Sequence, residues 1–227
     1  VIRGQGAVFA GGGQAHRRSF QSMVCVWRRT GGKTDHGKKM ADPHPPTPIQ
    51  TLPVIETPRL LLRPHRLSDF QQWRAMFLDE GTRRFLSSPL PSEEESWNRL
   101  LRYIGHWSAL GYGLFGVFDR ADGRFLGDVG LADFHRGLGA EFDRCPEVAW
   151  IMTSAAHGHG YATEAARAIH DWFARTHGPR RTVAIIDPDN HASLRLAARM
   201  GYRPTGECTY RNARCVMLAR PATPDMA

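Results

Sequence analysis

The spacing of apolar side chains changes at about residue 58, where the first strand is predicted. The run Arg59–Arg63 has an apolar centre and is followed by Pro64, as is typical of a strand. The next segment is predicted to be a helix through about Asp79, capped by Ser68 or Asp69. A second helix is predicted from about Ser92, because glutamates favourable at a positive helix end follow it. In the first of these two helices, the apolar residues recur at helical spacing, namely Phe70, Trp73, Met76 and Phe77.

The rest of the chain is predicted to alternate strands and helices. Extended segments at 114–118 and 124–134 flank an Asp-Gly pair that indicates a hairpin. A strand at Glu147–Met152 precedes a long amphipathic helix from about Gly158 to Thr176. The remaining predicted elements are a strand at Thr182–Ile186, a short helix capped by Asn190 and ending at Gly201, and a closing strand pair at 202–208 and 215–218. This order predicts a mixed α/β fold without an internal repeat.

The N-terminal region has a different composition. Residues 1–53 are rich in Gly, Pro and basic residues without periodicity, so we expect a disordered extension. Because Met40 stands just before a Pro-rich linker, we interpret residues 1–39 as an upstream extension outside the native enzyme, with an organellar transit peptide as the alternative. The folded domain is expected at residues 54–220, and residues 221–227 form a C-terminal tail.

The net charge of +8 is concentrated at one end of the chain. Residues 1–39 contain eight Lys or Arg and one acidic residue, whereas the remaining residues contain 22 bases and 21 acids. A nucleic-acid-binding domain would need a basic surface on the folded part, so we expect no specific nucleic-acid partner. No apolar run approaches the roughly 18 residues that a membrane span requires, so we expect no membrane insertion.

The cysteine and histidine patterns do not predict a metal site. The four cysteines lack C-x-x-C spacing, and no two histidines have the H-x-x-x-H spacing that places two ligands on one helical face. We therefore expect reduced thiols in a cytoplasmic protein. Cys208 and Cys215 are expected to face each other across a hairpin.

The sequence Gly158-His159-Gly160 follows a predicted strand and opens a predicted helix. Two glycines at such a position let the backbone approach an anion, which the unpaired N–H groups and the helix dipole stabilise. The alternative is that the glycines only permit a tight turn. A dinucleotide site of the Rossmann type would need glycine at Thr163, and the lysine of a Walker motif is also missing.

Several motifs together resemble a known family. The stretch Gly158–Ala165, then Pro188–Ser193 and Met200–Tyr202, resembles the GCN5-related N-acetyltransferases (GNAT), and within them the RimJ/RimL-type ribosomal-protein alanine acetyltransferases. The segment Glu56–Pro64 is similar to the start of that branch. The resemblance covers roughly residues 54–220. It implies a mixed, mostly antiparallel central sheet with helices on both faces and a strand splay that admits acetyl-CoA.

The resemblance also implies a cofactor site. Pantetheine would enter the gap between the strand ending at Ile151–Thr153 and the strand at Thr182–Ile186, and the next loop would hold the pyrophosphate. Two positions depart from the family: Ala155 stands where Gln or Arg is common, and Ala197 where many members have a tyrosine as general acid. The residues implied to contact acetyl-CoA are Ile151, Met152, Thr153, His157, Gly158, His159, Gly160, Tyr161, Ala162, Asn190 and Ser193.

The implied reaction is acetyl transfer to a primary amine by direct attack, which requires a base or water chain to remove the amine proton. Glu147 is the leading candidate, and Asp128, Asp133 and Glu141 are weaker ones. The resemblance places Ser193 near the departing thiolate and the oxyanion near the N–H of Met152. The implied acceptor is a protein N-terminus or a small-molecule amine. We expect the protein to be a monomer or a homodimer and to need no metal. The alternative function is a catalytically silent domain that binds acyl-CoA.

Overall fold

The computed structural model describes residues 52–86 and 89–222 of the chain, in which eight strands form a single sheet. Nearly all of the predicted N-terminal extension, and most of the C-terminal tail, lie outside these residues. The strands are β1 (Ile55–Glu56), β2 (Leu60–Pro64), β3 (Leu114–Asp119), β4 (Phe125–Ala132), β5 (Glu147–Met152), β6 (Thr182–Ile186), β7 (Arg203–Tyr210) and β8 (Ala213–Arg220). The helices are α1 (Phe70–Leu78), α2 (Glu80–Arg83), α3 (Glu93–Leu110), α4 (Ala140–Asp143), α5 (Tyr161–His177) and α6 (His191–Arg199).

The strand order is β1-β2-β3-β4-β5-β6-β8-β7, and every neighbouring pair is antiparallel except β5 and β6. The predicted mixed, mostly antiparallel sheet is therefore confirmed. Short elements with too few residues for a periodic pattern were not predicted, namely β1, α2, α4 and the 3-10 turns Leu67–Asp69 and Ser154–Ala156.

Helices cover both faces of the sheet, as predicted. Val148 and Met152 of β5 belong to the core that contains α5 and α6, whereas Ala149 and Ile151 pack against the core that contains α1 and α3. Side chains that alternate along β5 thus enter two different cores. The site described below lies where β5 separates these two layers.

The start of α3 explains why its prediction was correct. The hydroxyl of Ser92 accepts the N–H of Glu95, and the Glu95 carboxylate accepts the N–H of Ser92 at 2.7 Å. This capping box satisfies two backbone donors that the helix leaves without partners. Three acidic residues in the first turn add a favourable interaction with the helix dipole.

The start of α5 differs from its prediction. The helix begins at Tyr161 and not at Gly158, because Gly158 and Gly160 adopt left-handed conformations with φ of 79° and 78°. Such angles cannot continue a right-handed helix. The two glycines therefore form a loop before the helix, and Gly160 is its N-cap residue.

A buried chain of hydrogen bonds joins α5, β6 and the residue that precedes β7. His170 Nδ1 lies 2.7 Å from the carbonyl oxygen of Ala166, so this nitrogen carries the proton. His170 Nε2 consequently accepts from the Tyr202 hydroxyl at 2.9 Å, and that oxygen accepts from Thr182 at 2.7 Å. Burial lowers the pKa of His170 to about 4. A neutral imidazole therefore holds this side of the sheet together near neutral pH.

The final hairpin, β7–β8, turns through Arg211 and Asn212, whose φ angles are 51° and 63°. Cys208 and Cys215 are directly opposed across it as free thiols, which confirms that they face each other. Burial raises the pKa of both thiols. Within the described ranges, no helix has the length and apolar character to cross a bilayer.

Candidate active site

Strands β5 and β6 separate almost immediately after they meet. Their parallel ladder has one registered pair, Glu147 with Val183, and the N–H of Val183 donates to the carbonyl of Pro146 at 3.0 Å. The strands then continue to Met152 and Ile186 without further registered pairs. A wedge-shaped gap thus opens from a junction at Glu147, in the place where the resemblance implies one.

The β5 edge of this gap carries backbone hydrogen-bonding groups. The N–H of Thr153 donates to Leu126 on the other side, in β4, at 2.9 Å. Because consecutive residues of a strand direct their N–H and C=O groups to opposite edges, Trp150 and Met152 direct theirs toward β6. The Met152 carbonyl lies 3.2 Å from the Thr82 hydroxyl, whose proton it shares with the Asp79 carboxylate, and 3.1 Å from His157 Nε2. These contacts therefore hold the end of β5 in place at the open end of the gap.

The loop after β5 presents a cluster of backbone donors. The N–H groups of Thr163 and Glu164 both donate to the carbonyl of Gly160 at 3.1 Å. In the described part of the chain, the five preceding N–H groups, those of residues 158–162, have no protein acceptor. Consecutive free donors at a positive helix end form an anion site without requiring any cationic side chain.

Arg59 holds this loop in place, and sequence reasoning did not find this role. Its Nε and Nη2 atoms lie 2.7 Å from the Glu164 carboxylate, and its Nη1 donates to the carbonyl of His159 at 3.0 Å. The guanidinium also stacks on the Tyr161 ring, with Cζ 4.6 Å from the centroid. The residue just before β2 therefore braces a loop about 100 residues later in the chain.

Glu164 is the residue to which Arg59 binds when it holds this loop. Its carboxylate accepts the Thr57 hydroxyl at 2.6 Å and the Arg59 N–H at 3.1 Å. Burial opposes ionisation of Glu164, but the hydrogen bonds from Thr57 and Arg59 outweigh it and lower its pKa. The carboxylate thus remains charged and serves a structural role.

The start of α6 reaches across to β5. The Asn190 side chain accepts the N–H of Ser193 at 3.0 Å, which confirms its predicted role as a helix cap. The Ser193 hydroxyl in turn accepts from Trp150 Nε1 at 3.1 Å. A hydroxyl that accepts one bond retains its own proton for donation. Ser193 can therefore donate toward the gap from its α6 side.

Glu147 lies at the junction, buried and engaged in an ion pair. It is 4% exposed, and Arg136 donates to both carboxylate oxygens at 2.6 and 2.7 Å. A charged residue at the start of a strand is usually solvated, but Arg136, from the loop between β4 and β5, covers this one. Burial raises the pKa of Glu147, and the hydrogen bonds and charge of Arg136 oppose that rise only in part.

Arg136 is itself held between two aromatic rings. Its Cζ lies 4.8 Å from the centroid of Phe134 and 4.6 Å from that of Tyr210, at the end of β7. The junction therefore connects a loop, a strand start and the final hairpin.

The weaker candidates for a base differ in position. Asp128 is completely buried, accepts from Trp73 Nε1 at 2.8 Å and lies 3.1 Å from His65 Nε2, inside the α1–α3 core. Asp133 is partly exposed and accepts the N–H of His135, and Glu141 is exposed on α4. Of the four carboxylates, Glu147 is the one whose backbone forms the junction.

The two departures from the family have different surroundings. Ala155 is exposed beside the loop, so a longer side chain would have room there. Ala197 is completely buried in the core between the sheet and α6. A tyrosine would not fit at Ala197 without repacking, which agrees with the absence of that acid. No group of three or more potential metal ligands occurs among the residues that the structure describes.

This chain is similar to known proteins in sequence and in fold. The sequence profile of the family described as "Acetyltransferase (GNAT) domain" matches residues 59–203. YkkB of Bacillus subtilis, a protein described as uncharacterized, is 34% identical over 93 residues, which cover 40% of this chain and 52% of YkkB. That match therefore spans about half the length of the relative.

Solved structures share the fold over a longer range. A protein from Bordetella pertussis assigned to the GnaT acetyltransferase family is 36% identical, with a TM-score of 0.68, and covers 74% of this chain and 99% of its own. A complex of coenzyme A with RimL, described as a ribosomal L7/L12 alpha-N-protein acetyltransferase, has 19% identity and a TM-score of 0.64, covering 76% and 100% of the two chains. At that identity, the likeness to RimL concerns the fold.

Proposed function

Because this chain belongs to the GNAT acetyltransferase family, we propose that it transfers an acetyl group from acetyl-CoA to a primary amine by direct attack. The observation that supports this most strongly is the gap between β5 and β6, which ends at a loop with five free N–H groups. We assign the catalytic domain to residues 54–220 and its action to the cytoplasm, as a monomer or homodimer.

The residues around the gap fit acetyl-CoA. The free N–H groups of residues 158–162 would bind the pyrophosphate, and the β6-facing backbone groups of Trp150 and Met152 would pair with the pantetheine amides, whereas those of Ile151 and Thr153 face β4. Asn190 would orient the start of α6, and Ser193 would lie near the sulfur. We call this set the cofactor side. The cofactor side supplies backbone N–H groups and the Ser193 hydroxyl, and Arg59 holds its loop in place.

The chemistry would take place near the junction. The amine nitrogen attacks the thioester carbon, the carbon–sulfur bond breaks, and the amine proton passes to a base. The N–H of Met152 would stabilise the oxyanion, and Ser193 would donate to the departing thiolate. Glu147 would accept the proton directly or through water.

The Arg136 ion pair sets a condition on this role. Arg136 favours the ionised form of Glu147, which a base requires, but it occupies both carboxylate oxygens. An incoming amine would therefore use a remaining lone pair on one of these oxygens, displace one guanidinium bond, or reach the carboxylate through a water molecule.

The second candidate is a catalytically silent domain that binds acyl-CoA. The closed Arg136–Glu147 pair and the buried Ala197 favour it, because both reduce the groups available for proton transfer. In this case the same gap would bind the cofactor without turnover.

Calorimetry with acetyl-CoA, followed by a thiol-release assay with a panel of amines, separates these functions. Binding with release of CoA thiol in the presence of an amine supports the transferase. Binding without release on any acceptor supports the silent domain. Absence of binding at high micromolar acetyl-CoA would refute both.

A further inference from the structure

A groove of about 320 Å³ lies between the start of α3 and the tip of the β7–β8 hairpin. Residues 89–91 form one wall of it, and Arg99, Arg102 and Arg211 line the rest together with Glu95 and Asn98. Its volume is at the lower end of those of ligand sites. Neither composition nor periodicity indicates this groove, because its arginines come from α3 and from the β7–β8 turn, which lie more than 100 residues apart in the chain.

The groove is linked to the junction by direct contacts. The Cζ of Arg211 lies 5.4 Å from the centroid of the Tyr210 ring, and that ring also contacts Arg136, which binds Glu147. An extended peptide advances about 3.3–3.6 Å per residue. A few residues of extended chain are therefore enough to run from the junction into the groove.

The charge of the groove is positive. Its single carboxylate, Glu95, is already used to accept the N–H of Ser92 in the capping box, although it also partly balances Arg99 one helical turn later. Arg102 is exposed and has no ion pair among the described residues. The guanidinium groups of Arg99 and Arg102 lie 5.0 and 6.0 Å from the rings of Phe77 and Tyr103. Stacking uses the face of a guanidinium and leaves the N–H groups at its edge able to bind a carboxylate.

We propose that this arginine groove, lined by Arg99, Arg102 and Arg211, binds carboxylates a few residues after the free N-terminus of an acidic peptide acceptor. This proposal rests on the proposed function, since it places the acceptor amine at the junction. The apolar wall at residues 89–91 suits a peptide, which presents backbone and apolar groups beside its charges. The positive groove disfavours polyamines and other cationic acceptors.

Two eight-residue peptides test the proposal by equilibrium binding. Each has a free N-terminus and a C-terminal fluorescein; one carries Asp at positions 3–6, and the other carries Asn at the same positions. Fluorescence anisotropy is measured with protein saturated with CoA, which cannot react. We expect the Asp peptide to bind about tenfold more tightly at 50 mM salt, with a smaller difference at 300 mM salt because exposed charges are screened.

Charge variants locate the effect. Arg102→Glu should abolish the preference for the Asp peptide, and Arg102→Gln should reduce it. Arg175→Glu, an exposed change in the last turn of α5, serves as the matched control and should leave it intact. Equal binding of the two peptides, or a preference that survives Arg102→Glu, would overturn the proposal. Displacement of the Asp peptide by an equimolar short single-stranded RNA would also overturn it, in favour of a polyphosphate ligand.

A parallel thiol-release assay with acetyl-CoA keeps the two proposals distinguishable. Preferential binding of the Asp peptide without its acetylation would show that the groove binds acidic peptides but would refute the peptide as an acceptor, and the amine panel would then decide whether the transferase stands. Equal acetylation of both peptides supports the transferase and refutes the groove.

Discussion

The two sides of the β5–β6 junction are built from different chemical groups. The cofactor side consists mainly of backbone N–H groups in a loop that Arg59 and Glu164 brace. The opposite side, which we call the acceptor side, consists of charged side chains from α3, the loop before β5 and the final hairpin. A backbone site depends on conformation and tolerates changes of side chain, whereas a side-chain site depends on residue identity. The two sides should therefore respond to opposite kinds of mutation.

Gly160→Val should have the largest effect, because it changes the backbone on the cofactor side. Gly160 has a φ of 78°, which valine adopts only with strain. We expect the affinity for acetyl-CoA, measured by calorimetry, to fall at least about 100-fold, or roughly 2.7 kcal/mol. Gly111→Val places a comparable strain at the end of α3, where φ is 73° and ψ is 3°, and should bind normally. Similar affinities in the two variants would show that the loop is not the cofactor site.

Glu147→Gln tests the acceptor side through a single carboxylate. If Glu147 is the base, kcat should fall about 100-fold or more while the affinity for acetyl-CoA stays unchanged. In the wild-type protein, kcat should rise with pH as Glu147 loses its proton, with a midpoint above the ordinary glutamate pKa of 4.5, because burial raises its pKa. The variant should lose that rise. Glu141→Gln, an exposed change nearby, is the control, and an equal loss of kcat there would argue against Glu147.

Arg59→Ala tests whether the brace matters to the loop that it supports. We expect about tenfold weaker binding of acetyl-CoA, since the variant loses the bonds to Glu164 and His159, with kcat at saturating cofactor nearly unchanged. Arg120→Ala removes a bond to Thr57 in the same N-terminal segment but does not touch the loop. A loss in kcat instead of affinity would mean that Arg59 acts on the chemistry.

His159→Ala should have the smallest effect, less than about twofold on acetyl-CoA affinity, because the side chain is exposed and its backbone is what faces the proposed ligand. His157→Ala is the useful comparison, since His157 Nε2 lies 3.1 Å from the Met152 carbonyl. It should weaken binding more than His159→Ala. A strong effect of His159→Ala would show that cofactor binding depends on side chains as well as on the backbone.

The fold was largely predictable because its elements carry local patterns. β5 and β6 were predicted with their observed bounds, Asn190 caps the helix that it was expected to cap, and α3 begins next to Ser92, close to its expected start. The cap expected from Ser68 or Asp69 was wrong, because the Asp69 carboxylate accepts from Arg63 and Arg66 and makes no cap to α1. The start of α5 was predicted three residues early, because glycine reveals that an unusual conformation is permitted but not which one is adopted.

The site was predictable on one side only. The order of motifs indicated the loop at 157–162 and the positions of Asn190 and Ser193. The partners that give side chains their roles were not predictable, because Arg59 and Glu164 are 105 residues apart and Arg136 lies in a loop without periodicity. Because that loop is what buries Glu147, its burial could not be predicted from the sequence of the strand alone.

The single registered pair between β5 and β6 gives the sheet two interior edges, of a kind that sheets otherwise have only at their margins. A ligand whose amides bind to such an edge acts as part of a missing strand, and its binding energy becomes folding energy. A cofactor at 100 times its Kd would add about 2.7 kcal/mol to the free energy of unfolding. If the gap binds acetyl-CoA as proposed, the lifetime of this protein against proteases should follow the supply of that cofactor.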